Sequence, residues 1–261
     1  MNDTSLLTVV QKMLPGRKRI ALVGAGGKTT AAYSLAWDLV ERREPVLFTT
    51  TTHIYCPAGP GLVVGVGEPK NPGVFGAVLA GRRESRLPVL GRELQGKKLG
   101  GYSPVELARI ADLWPDHWLI IEADGSAGRP LKAPGAHEPA IVPLAEVVLY
   151  VGGLWGIGVP LGPQYVHRPE RFSLLTGLPE GEIIRPHHVV DLIRHPAGGR
   201  KNVPPGAAFA VLLSGASIPE DYLLGGYMAR LLVAAGEDLV LVTGLAAGRV
   251  AVRGVFGRGV G

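Results

Sequence analysis

The chain has 261 residues, 46% of them apolar, which is enough to bury a sizeable core and too apolar for general disorder. Its 27 Lys and Arg against 22 Asp and Glu leave a formal charge of +5, a balance that suits anionic ligands such as nucleotides. The densest basic group (Arg82, Arg83, Arg86, Arg92, Lys97, Lys98) contains Glu84 and Glu93 and no interleaved aromatics, so no nucleic-acid partner is expected.

The stretch from Met1 to Leu14 reads as a short helix and not as a signal peptide. An apolar strand, Arg19–Gly24, runs into glycines and then into a helix from Lys28 to about Arg42. Pro45–Thr50 is a strand of the buried kind, and Leu62–Gly67 and Pro88–Leu90 are shorter ones. Ser103-Pro-Val-Glu106 carries the marks of a helix start, a Ser cap with Pro behind it and Glu three residues on, and that helix runs to about Leu113. Trp118–Glu122 and Glu146–Val151 are further buried strands, and Pro169–Thr176 and Pro186–Arg194 read as helices. Strand Ala208–Leu213, helix Asp221–Ala235, and strands Leu239–Thr243 and Arg249–Val255 complete the order. Alternating strands and helices predict an α/β fold of the phosphate-loop NTPase-like kind, a mostly parallel sheet with helices on both faces. The chain reads as one domain, 1–261, with a helical insertion at about 152–205. The longest uncharged run, Val147–Pro163, is broken by five glycines and two prolines and is no membrane span. The lone Cys56 fits a reducing cytoplasm, where the protein is expected.

Gly24-Ala25-Gly26-Gly27-Lys28-Thr29-Thr30 is the most informative segment. Closely spaced glycines let the chain turn tightly and aim successive N–H groups at one point, where the positive helix end also favours a polyphosphate. Lys28 adds a cation for the outer phosphates, and the Thr29 hydroxyl stands where a Mg²⁺ ligand is needed. The loop departs from G-x-x-x-x-G-K-[ST], because position 22 is Leu22; the shorter G-x-G-G-K-T-T form is also ligase-like. A second half of the site is expected at Trp118-Leu-Ile-Ile-Glu122-Ala-Asp124, where two carboxylates at alternate positions leave a strand end on the same side. Asp124 is expected to hold Mg²⁺ with Thr29, and Glu122 to orient the attacking group, with Lys28 stabilising charge on the phosphates. The competing reading of Asp124-Gly125 is a plain turn.

Candidate substrate contacts lie in three further places. Thr51, Thr52 and His53 end the strand that should lie beside the phosphate loop, although threonines are also simply good strand residues. In the Gly- and Pro-rich loop Ser126–Pro139, Arg129 and Lys132 could meet an anionic substrate, while His137 and Glu138 either handle protons or are solvated. His167 and Arg168, just before a predicted helix, form either a substrate patch or a helix-capping arrangement. His53-x-x-Cys56 supplies only half a metal site.

Together, Val23–Thr30, Thr49–His53, Glu122-Ala-Asp-Gly-Ser126, Pro130-Leu-Lys-Ala-Pro134, His137-Glu-Pro139 and Val166–Glu170 resemble the YqeC family, regarded as accessory proteins of selenium-dependent molybdenum hydroxylases. The resemblance spans about Leu14 to Val255. It implies a nucleotide-binding fold and a part in maturing the selenium form of the molybdenum cofactor. It brings a molybdenum cofactor species, or another small anion, and a selenium-dependent hydroxylase as expected partners. Strand Phe209–Leu213 continues as Ser214-Gly-Ala-Ser217, without the Asn-Lys pairing that suggests guanine reading elsewhere, so ATP and GTP both stay open. The expected activity is Mg²⁺-dependent hydrolysis of a nucleoside triphosphate. The alternatives are an ATP-dependent ligase or kinase acting on a small anion, and a non-enzymatic carrier of the cofactor or its precursor.

Overall fold

Strong apolar runs separated by turn residues become the strands of one large sheet. The computed structural model describes residues 4–257. In chain order the first elements are β1 (Thr4–Ser5), α1 (Leu6–Met13), β2 (Arg19–Gly24), α2 (Lys28–Glu41), β3 (Val46–Thr50), β4 (His53–Tyr55), β5 (Leu62–Val66) and α3 (Pro72–Glu84). There follow β6 (Leu87–Gly91), β7 (Glu93–Gln95), β8 (Lys98–Gly100), α4 (Pro104–Leu113), β9 (Trp118–Glu122), β10 (Leu131–Lys132), β11 (Val147–Gly153) and β12 (Val166–His167). The last are α5 (Pro169–Thr176), α6 (Pro186–Arg194), β13 (Ala208–Ser214), α7 (Pro219–Ala234), β14 (Leu239–Ala246) and β15 (Arg249–Gly257).

The main sheet has ten strands in the order β1-β15-β14-β13-β11-β2-β9-β3-β6-β5. From β14 to β5 every pairing is parallel, and only β15 and β1 join antiparallel at one edge. Alternation along β2 divides the core: Ala21 and Val23 face the cluster containing residues of α3 to α7, whereas Ile20 and Leu22 face α1 and α2. The expected α/β class, with helices on both faces, is therefore present. The 152–205 stretch carries α5 and α6, and its Phe172, Val189 and Leu192 belong to the same buried cluster as the sheet residues Val148 and Val211.

Local rules explain several boundaries. Ser103 caps α4 with Glu106 in a reciprocal capping box: Ser103 Oγ accepts from the Glu106 amide at 3.3 Å, and Glu106 Oε2 accepts from the Ser103 amide at 2.9 Å. Ser5 caps α1 by accepting from the Thr8 amide at 3.2 Å; positions 1–3 of the predicted N-terminal helix lie outside the described residues. Because the central strands are parallel, the ends of β2, β3, β9, β11 and β13 emerge on one edge of the sheet. There β2 lies beside β11, and the chain leaves β2 towards β3 on one side and β11 towards β13 on the other; such a point opens a crevice for ligands.

Candidate functional site

At that edge β2 ends in the glycine loop. Gly24 and Gly26 have φ of 88° and 73°, in the left-handed region. A Cβ on Gly26 would stand 2.7 Å from both the Gly153 nitrogen and the Pro130 oxygen, so backbone packing alone excludes a side chain there. The loop is pinned from outside. The Ala25 amide donates to Val151 O at 2.8 Å, the Gly24 amide donates to Asp124 Oδ2 at 3.2 Å, and Ser214 Oγ donates to Gly26 O. The next five amides, of residues 26 to 30, meet no acceptor among the described residues, and α2 begins at Lys28 in their midst. Free N–H groups gathered at the positive end of a fourteen-residue helix are an arrangement that favours an anion.

Lys28 is only 3% exposed. Its Nζ donates to Gly24 O at 2.7 Å and to Ser126 Oγ at 3.1 Å, so the ammonium lies folded over the loop. Burial pushes its pKa down, opposed by the nearby Asp124 and Glu122 carboxylates.

Glu122 and Asp124, at the end of β9, have different surroundings. Thr29 Oγ1 donates to Glu122 Oε2 at 2.9 Å, joining the loop threonine directly to this carboxylate. Asp124 is 2% exposed and accepts from Lys132 Nζ as well as from the Gly24 amide. Lys132, itself 1% exposed, also pairs with Glu138 at 2.7 Å, and Glu138 in turn is gripped by Arg168, whose Nη2 donates to Oε1 at 2.9 Å. Burial raises the pKa of both Glu122 and Asp124. At Glu138 burial also pushes upward, but hydrogen bonds from Arg168, Lys132 and the Gly135 amide outweigh it and hold the carboxyl at about 2.

In front of the loop opens a cleft of about 880 Å³, bordered by Gly26–Thr30, His53, Glu122, Ser126, Glu138, Trp155 and His167. A separate groove of about 440 Å³ begins at the same Thr29 and Thr30 and runs between the aromatic rings of Tyr33 and Trp37 and the β14–β15 turn at Ala247 and Gly248. Among the described residues no group of three His, Cys, Asp or Glu is placed to hold a metal ion. A cation at Thr29 and Glu122 would therefore draw the rest of its ligands from phosphate or water, as Mg²⁺ with a nucleotide does.

Of the expected substrate residues, His53 and His167 border the cleft. Burial lowers the His167 pKa, assisted by Arg168 and Lys132. Lys132 and Arg168 are engaged in the ion network, Arg129 Nε donates to Pro163 O, and the Thr51 amide is bound to Glu122 O at 3.1 Å. Thr52 donates its amide to Thr50 Oγ1 at 3.0 Å, which shapes the turn after β3. Three contributors escape sequence reasoning. Ser126 anchors Lys28, Ser214 anchors the loop, and Trp155, 48% exposed, walls the cleft. Ser214 ends a strand two places from β2 in the sheet, and only the strand order reveals that proximity.

The family model described as "YqeC protein" matches residues 20–170, a segment that holds the loop, both carboxylates and the Lys132–Glu138–Arg168 network. The chain belongs to the YqeC family. It is also 34% identical over 192 residues to the "Uncharacterized protein YqeC" of Escherichia coli (strain K12), a match covering 72% of each chain. No solved structure matches it. No helix among the described residues is long and apolar enough to cross a membrane.

Proposed function

We propose that this YqeC-family protein binds a Mg²⁺–nucleoside triphosphate at the glycine loop and hydrolyses it, in the manner of phosphate-loop NTPases. The observation that carries the reading is the run of five unbonded amides, 26 to 30, beside a buried Lys28 and a Thr29–Glu122 pair. Amides and ammonium would hold the phosphates and stabilise the charge that grows on them during transfer. Bound between phosphate oxygens, Mg²⁺ would supply charge neutralisation. In this reading Thr29 and Glu122 would hold it, whereas Asp124, engaged by Lys132 and the Gly24 amide, would instead fix the loop's shape. The aromatic groove at Tyr33 and Trp37 offers flat apolar walls to a base, and the large cleft on the carboxylate side is left for water or an acceptor. Glu138, held as a tightly paired anion, is a poor base; His167, neutral at pH 7 and facing the cleft, is the better proton acceptor.

The role of that chemistry, on the family resemblance, is maturation of the selenium-containing molybdenum cofactor in the cytoplasm. A second reading, phosphoryl transfer or ligation to a small anion, is favoured by the cleft's size, about 880 Å³ beyond the loop. Release of phosphate from Mg·ATP or Mg·GTP by the wild type, and its loss in Lys28→Ala, tests the first reading. Release only when a small anionic acceptor is present would replace it with the second. Tight binding of a cofactor species without any turnover would leave a carrier.

A further inference from the structure

At the opposite edge of the sheet, where β3, β6 and β9 begin, lies a pocket of about 440 Å³ bordered by Arg43, Arg82, Arg83, Arg86 and His117. The residues come from three separate connections: Arg43 follows α2, Arg82 to Arg86 close α3 and lead into β6, and His117 leads into β9. His117 is 6% exposed, and neither ring nitrogen has a hydrogen-bond partner among the described residues. Both ring nitrogens are sealed from solvent, so the ring stands in the pocket's wall and is placed to report on what binds there. The side chains of Arg43, Arg82 and Arg83 make no hydrogen bond or ion pair among the described residues, while Arg86 is held by Glu84 and by Leu62 O. Arginines in the last turn of α3 complement that helix's dipole, which accounts for Arg82 and Arg83 but not for Arg43 or His117. Among the described residues Glu44 is the one carboxylate bordering the pocket, against four guanidinium groups.

We propose that this pocket is a second anion site, separate from the glycine loop, which takes a small phosphate or pyrophosphate group through the arginines, with the His117 ring in its wall. Guanidinium forks match tetrahedral oxyanions. The volume fits a small molecule and not a polymer face, and among the described residues no Phe, Tyr or Trp borders it on which a base could stack.

The test follows the His117 ring resonances by NMR, assigned by their loss in His117→Gln, while the full-length protein is titrated with inorganic phosphate and then pyrophosphate at constant ionic strength. A saturable shift at sub-millimolar to low millimolar anion is expected. In Arg82→Gln/Arg83→Gln the affinity should fall at least about tenfold, the loss of one charge-assisted contact. A response to one anion alone identifies free phosphate or the pyrophosphate group as its source. Lys28→Ala should leave the titration unchanged, which separates this site from the proposed nucleotide site. No saturable shift with either anion, an undiminished affinity in the double variant, a response lost in Lys28→Ala, or binding of an oligonucleotide but of neither small anion would overturn the proposal.

Discussion

Lys28→Ala tests how the glycine loop holds charge. The ammonium is buried, and among the described residues its hydrogen bonds are to Gly24 O at 2.7 Å and Ser126 Oγ at 3.1 Å. Burial is the largest influence on it and opposes the charged form, so its removal relieves a desolvated charge while withdrawing compensation from Glu122 and Asp124. These effects oppose one another, and the variant is expected to stay folded. In the complex a hydrogen bond to a charged group contributes about 1.5–3 kcal/mol, so losing one should raise Kd by about 10- to 150-fold. The nearby carboxylates, then less compensated, would repel the phosphates further, which makes the lower figure a floor. Anisotropy of a fluorescent ATP analogue, displaced by unlabelled ATP or GTP, measures the change, and circular dichroism checks the fold. An unchanged affinity for both nucleotides in a folded variant would refute the reasoning and leave the loop as a turn between β2 and α2.

Glu122→Gln and Asp124→Asn should behave differently: the first should lose the Mg²⁺ dependence of nucleotide turnover with a small change in melting temperature. Asp124→Asn withdraws a carboxylate from the buried Lys132 and should cost about 3–5 kcal/mol in denaturant unfolding, softened by the remaining Glu138; equal melting of the two variants would contradict this division. Gly26→Ala would force a Cβ to 2.7 Å from two backbone atoms and should abolish nucleotide binding, which equilibrium dialysis can score. The Glu138 carboxyl sits at about 2 against an ordinary 4.5, so its stabilisation is fully present above 4.5 and lost as pH falls towards 2. Glu138→Gln should therefore flatten the acid limb of stability against pH, and an unaltered limb would show that the network adds nothing. Deleting the gene from a host with a selenium-dependent molybdenum hydroxylase should remove that activity and spare selenium-free molybdenum enzymes; equal loss of both would remove the selenium-specific role.

The central strands and the capped helix α4 were legible because each has a strong local cause: an uninterrupted apolar run, or a Ser-Pro-x-Glu start. Helix α3 was not, since Gly73, Gly76 and Gly81 break its pattern within thirteen residues. Tertiary packing decides there: a Cβ on Gly81 would stand 2.3 Å from Pro88 Cγ, so the glycine permits α3 to lie against β6. The three-residue strands β4, β7 and β8 form a small sheet of their own and are too short to carry a periodicity. In the candidate site, glycine spacing and the β9 acids pointed to one and the same edge of the sheet, where β2 and β9 both end. The partners of each carboxylate did not follow from spacing: Glu122 and Asp124 both lie at the end of β9, yet one meets Thr29 and the other Lys132. That choice depends on the path of the 126–139 loop, which returns Lys132 beneath Asp124 through the pairing of β10 with β12.

Isothermal titration calorimetry of the wild-type protein with ATP and GTP, each with Mg²⁺ and then with chelator, tests the central claim most directly. The account predicts saturable one-to-one binding of at least one triphosphate, weakened when Mg²⁺ is removed and lost with the corresponding monophosphate. No saturable heat with either triphosphate into the millimolar range, or equal affinity for monophosphate and triphosphate, would contradict it.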